Sequence, residues 1–144
     1  MPFRKPRSLA EAARSAKRDG DFYGRVREFL DVFYRNAAAR RAMLATPPAL
    51  LPDEVANAYV AAVAEHLAHR YRLPVPSWVH APERFLHAPH FGGPAGMTAM
   101  LLAESPAAFR RRMIFVGYDP LARPSRRGRP PSPPWGFGDL RRRA

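Results

Sequence analysis

At 144 residues, with 24 Lys and Arg against 12 Asp and Glu and a formal net charge of +12, the chain has the length of one domain and is strongly basic. It contains no cysteine, which excludes disulfides, thiolate zinc sites and cysteine nucleophiles together. No apolar run approaches the roughly 20 residues of a membrane-spanning helix, and the start, MPFRKPRSLAEAARS, lacks the apolar stretch of a secretory signal, so a cytoplasmic protein with no membrane partner is expected.

The charge is uneven. Residues 1–20 hold six Lys and Arg against Glu11 and Asp19, a balance of +4, and residues 123–144 hold seven Arg against Asp139, a balance of +6. The remaining eleven Arg and nine acids leave only +2, so a broad basic nucleic-acid-binding face on the central part is disfavoured. Only Lys5 and Lys17 are lysines, which together with the abundant Ala and Pro has the look of a GC-rich genome.

In chain order, Ser8 followed by Glu11 matches a capping box, and Gly20 suits the end of a short first helix within a basic segment, 1–20. Asp21 opens the strongest pattern: Phe22, Val26, Phe29, Leu30, Phe33 and Tyr34 form one apolar stripe of a helix expected to run to about Leu44, where the Pro pair 47–48 stops it. Pro52, Asp53 and Glu54 suit a second helix start, with Val55, Tyr59, Ala62, Val63, His66 and Leu67 on one face. The expectation is a mainly α fold, a small bundle built on these two long helices as an antiparallel pair, over residues 21–122. From Leu73 the Pro-rich stretch to Pro89 reads as an ordered loop packed by Trp78, Phe85 and Leu86, with a helical turn at 82–86. Residues 97–104 read as a short helix, Ser105-Pro106 as an N-cap and first helical position, and 113–117 as a strand needing a minor hairpin or an intermolecular partner. At most one or two short strands are expected. The Arg/Pro-rich tail 123–144 has the composition of a disordered segment.

All five histidines fall between His66 and His90, and HAP occurs twice, at 80–82 and 87–89. His66 and His69 stand i, i+3 on a helix, and His87 and His90 offer nitrogens from the loop, which is the outline of an all-nitrogen zinc site. Against it, His66 lies inside an apolar stripe, and HLAH lacks the glutamate of the HExxH zincin signature. Structural or surface histidines are the reading adopted, with no metal and no cofactor. There is no G-x-S-x-G elbow, P-loop or G-x-G-x-x-G, so no catalytic residue is assigned. Glu65 could orient His69 at i, i+4, although an ordinary surface pair is the simpler account. Arg110, Arg111 and Arg112 could grip an acidic partner. The plainer alternative is one buried ion pair, with Glu104 as its acid, and two solvated charges. Arg126, Arg127, Arg129, Arg141, Arg142 and Arg143 of the tail could bind nucleic acid through counterion release, with Trp135 and Phe137 stacking on bases.

Residues 57–123 contain an Ala-rich helix with Glu65, then Pro76-x-Trp78, Pro82-x-Arg84-Phe85-Leu86, and Glu104-Ser105-Pro106-x-x-Phe109-Arg110-Arg111-Arg112-x-Ile114-Phe115-Val116. This texture resembles an uncharacterised helical module of actinobacterial and related proteins, found alone or after a Cro/repressor-type helix-turn-helix domain. The resemblance implies a regulatory or toxin–antitoxin setting and no catalytic role. This chain lacks a recognisable helix-turn-helix, and the histidines are not part of the shared texture. The expected function is therefore a non-catalytic regulatory protein-interaction module. Its contact candidates are Trp78, Arg84, Phe85 and Arg110 to Arg112, its partner is a protein or a second copy of the chain, and the tail adds non-specific affinity for nucleic acid. The alternatives are a nucleic-acid-binding protein acting through its tails and a His-ligated zinc enzyme.

Overall fold

A computed structural model describes residues 4–124, and within them the molecule is mainly helical. Ser8 Oγ accepts from the Glu11 amide at 3.1 Å, and Gly20 closes helix α1 (Leu9–Asp19) at φ 75 with its N–H on Ala16 O. Asp21 caps α2 (Phe22–Arg35) through the Gly24 amide. The Gly20-Asp21 turn lays α1 against α2. Leu9 and Ala12 of α1 enter the same core as Val26, Phe29, Leu30 and Phe33 of α2. The N-terminal segment is thus part of the packed body.

The helix expected to reach Leu44 ends at Arg35. Asn36 and a 3-10 turn at Ala37–Ala39 separate it from a short α3 (Arg40–Ala45). The physical reason lies in Arg40, whose guanidinium donates to the carbonyls of Phe33 at 3.1 Å and Tyr34 at 3.0 Å. Those carbonyls would otherwise be orphaned where the helix stops. The long antiparallel pair is therefore not confirmed: its first member is broken, and α2 takes α1 as its close neighbour.

The centre belongs to α4 (Glu54–Arg70), capped by Asp53 on the Val55 amide. Its burial is not confined to one stripe. Every residue from Val60 to Ala68 is buried, because the alanines let chain approach from all sides. α3, α6 (Ala107–Arg110) and the 3-10 turns Ser77–His80 and Pro82–Arg84 all pack on it, and α2 reaches it through the edge-to-face rings Tyr23–Tyr59 and Phe22–Tyr59. Asn57 folds the preceding linker back by accepting from Leu51 N at 2.7 Å and donating to Leu51 O at 2.9 Å. With no glycine available, Arg72 takes the left-handed φ of 56 that ends α4, and Leu73 N donates to Ala68 O.

Beyond the loop, β1 (His90–Phe91) pairs with β2 (Ile114–Phe115), His90 facing Ile114. The expected hairpin or intermolecular pairing gives way to a parallel pair, because α5 (Thr98–Glu104) and α6 lie between the strands and a parallel pair needs such a crossover. Ser105, expected to cap α6, leaves that role to Pro106. Its hydroxyl lies 2.5 Å from Leu101 O and accepts from Val116 N at 2.9 Å, tying the end of α5 to β2. The last described segment, a strap at 117–124, returns over α2 through Tyr34 Oη to Leu121 O (2.7 Å) and Arg123 to Asp31 (3.0 Å), and meets the end of α4 through the buried Arg70–Asp119 pair (3.8 Å). Among the described residues no helix is long and apolar enough to cross a membrane.

If α4 is enclosed on all sides, Ala61→Leu will destabilise the chain by about 1–3 kcal/mol, whereas Ala103→Leu on exposed α5 will stay within about 0.5 kcal/mol. Urea unfolding of the two variants checks this, and equal tolerance would contradict the central placement of α4.

Candidate functional site

The loop and α6 converge on one carboxylate. Glu65 is 1 % exposed on α4 and receives Arg111, whose side chain is about half exposed, and the fully buried Arg112 at 3.4 Å. Arg112 also donates to Val79 O and Ala108 O, both at 2.8 Å, and its guanidinium lies 4.6 Å from the centre of the Phe85 ring. Burial pushes the pKa of Glu65 up, but the bond from Arg111 and the charge of Arg112 outweigh it and hold the carboxyl below its usual range. Burial pushes the pKa of Arg112 down, and Glu65 opposes the fall. A second arginine repeats the device: buried Arg84 donates to Pro48 O at 2.5 Å and stands 5.0 Å from the Trp78 ring, whose Nε1 donates to Leu44 O at 3.0 Å.

The contact candidates therefore separate. Trp78, Arg84 and Arg112 are buried: Trp78 ties the loop to α3 through Leu44 O, Arg84 ties it to Pro48 and α4, and Arg112 ties the loop and α6 to α4, with Phe85 half-buried beneath Arg112. Arg110 and Arg111 are exposed, with Arg110 donating to Ser105 O at 2.6 Å. The acid of the buried pair is Glu65 and not Glu104, and Glu65 is turned to the arginines and not to His69. Arg126, Arg127, Arg129, Arg141, Arg142 and Arg143 lie outside the described residues, as do Trp135 and Phe137.

The histidines do not assemble. His66 is buried against the Phe109 ring at 5.8 Å, whereas His69 and His87 are exposed and His90 is half-buried on β1. Among the described residues no three His, Cys, Asp or Glu side chains are grouped to hold a metal ion. Burial, with the charge of Arg70 behind it, pulls His66 down to about 4 from 6.5.

Sequence reasoning passed over one surface. α5 is held mainly by buried Leu101, and Met97, Met100 and Leu102 around it are 38 %, 38 % and 45 % exposed. A short apolar helix reads as core in sequence; only the three-dimensional arrangement shows how little of it is covered. No protein family matches the chain, and no curated protein or solved structure is significantly similar to it.

Two outcomes follow from the ion pair and the buried imidazole. Glu65→Gln will cost about 3–5 kcal/mol by stranding Arg112, while Arg111→Ala at the half-exposed position will cost about 0–1 kcal/mol. Comparable losses in chemical unfolding would show that Arg112 is not the dependent partner. Because the folded His66 resists protonation, its contribution is full above about 6.5 and is lost as pH falls toward 4, on the order of 3 kcal/mol in all. His66→Leu will flatten that fall in stability between pH 7 and 4.5, and an unchanged slope would assign it to other groups.

Proposed function

We propose that this chain is a non-catalytic protein-interaction module of a regulatory system, and that α5 with Arg110 and Arg111 is its contact surface. The observation that carries the reading is the exposure of three large apolar side chains, Met100 and Leu102 on α5 and Met97 just before it, in a segment anchored by Leu101. Large apolar side chains left exposed along one short segment suit an interaction surface, and methionine adapts its shape to a partner. Arg110 binds the carbonyl of Ser105 at the C-terminal end of α5, which puts positive charge beside the apolar residues. The partner that fits is a protein with an apolar groove rimmed by carboxylates that meet Arg110 and Arg111. The texture of residues 57–123 supports a toxin–antitoxin or transcription-regulation setting.

In affinity capture from the native host, a defined partner will be retained by the wild-type chain, lost by Met100→Glu/Leu102→Glu, and kept by Arg14→Ala on α1. Equal capture by all three overturns the choice of surface. Sedimentation of the purified chain separates the case of a second copy, since only then will the α5 variant change the molecular mass.

The second reading, nucleic-acid binding through the tail, rests on the seven Arg against one Asp in residues 123–144. It requires affinity for a single-stranded oligonucleotide that drops steeply between about 50 and 200 mM salt and vanishes on deleting 125–144. Binding that survives the deletion rules it out.

A further inference from the structure

Away from α5, two hollows meet at the pair Tyr23 and Tyr59. One, of about 250 Å³, is lined by those phenols with His90, Gly92, Ile114 and Val116. The other, of about 110 Å³, is bordered by the same two tyrosines with Arg27, Leu30, Leu121 and Arg123. The first is aliphatic and aromatic, and a Cβ at Gly92 would stand 3.1 Å from Val116 Cγ1, so the glycine keeps it open. The second is cationic. Lys5 and Arg123 share the single carboxylate of Asp31, which leaves one positive charge in excess, and among the described residues Arg27 has no hydrogen-bond or ion-pair partner. Asp53, the acid acting on Tyr23, is committed to the first turn of α4 through the Val55 amide.

From this juxtaposition of an apolar hollow, two phenols and a spare guanidinium, we propose that the cleft binds a small aryl carboxylate, its ring in the Ile114/Val116 hollow and its carboxylate on Arg27. An aromatic ring is favoured over a plain alkyl chain by the neighbouring rings. Tyr23 and Tyr59 meet at 5.2 Å and 81°, and Tyr59 continues to Phe109 at 5.3 Å and 69°, a herringbone into which one more ring fits edge to face. Burial raises Tyr59 to about 12, so its hydroxyl stays protonated as a donor for an anionic oxygen. A site of this size suits a one-ring molecule and not a nucleotide. The reading goes beyond the α5 interaction surface and uses none of its residues.

Phenylacetate and its neutral counterpart phenylacetamide, titrated separately into the full 15N-labelled chain, decide the matter. Phenylacetate will give saturable amide shifts centred on Tyr23, Tyr59, Gly92 and Val116, and phenylacetamide will bind about tenfold more weakly, the loss of one charged hydrogen bond. Arg27→Ala will weaken phenylacetate by a similar factor with an unchanged thermal midpoint, and Met100→Glu/Leu102→Glu will bind it as the wild type does. Equal binding of acid and amide, shifts that do not saturate, or full affinity in Arg27→Ala would each overturn the proposal.

Discussion

The mutual placement of α4, the turn at 77–80 and α6 depends on a carboxylate inside the central helix. Glu65 can sit at 1 % exposure because Arg112, itself fully buried, meets it there. Ion pairs of this kind add little net stability over a well-packed apolar pair, since the desolvation of both charges offsets their attraction. What Arg112 contributes is direction. Its planar fork reaches Glu65, Val79 O and Ala108 O together, so α4, the turn at 77–80 and α6 have one mutual arrangement that satisfies it. Arg84 does the same for the linker at Pro48 and the Asn57 carbonyl. Two arginines thus hold in place a Pro-rich segment too poor in regular backbone bonding to position itself.

Alanine makes this arrangement sterically feasible. Ala58, Ala61, Ala62, Ala64 and Ala68 are fully covered, and their small side chains let α6 and the two 3-10 turns approach α4 closely. Larger residues on the same helix are reserved for particular neighbours: Tyr59 for the rings of α2 and Phe109, Leu67 for the core. The consequence for function is that the most distinctive residues of the loop are directed inward, and the free surface passes to α5 and the tyrosine cleft.

Local features were legible in the sequence. The cap at Ser8, the helix starts around Asp21 and Asp53, the glycine ending α1 and the extent of α5 follow from interactions within about four residues, where side-chain chemistry decides the outcome. Breaks made by distant or long side chains were not. Between Arg35 and Arg40 the local mark of a helix end is Asn36, a weaker signal than glycine, and the carbonyls it leaves are capped by Arg40 reaching back to Phe33, while α4 ends on an arginine in the left-handed region where glycine is the usual signal. The role of Glu65 was hidden for a like reason: its cations lie 46 and 47 residues away, and the nearer Glu104 looked as plausible an acid. The aromatic loop was correctly marked as ordered, but the sequence could not say whether its arginines face water or carbonyls.

The strap that closes the molecule also sets the order in which it forms. Tyr34 and Leu121 are 87 residues apart, and Asp31 and Arg123 are 92 apart, so these bonds form only after the intervening chain has compacted. By sequence separation, the α1–α2 turn and α4 are expected to assemble before the strap. Since Leu121 and Arg123 wall the smaller hollow, local opening of the strap would widen the approach to the Tyr23–Tyr59 pair, which couples the stability of the strap to occupancy of that cleft.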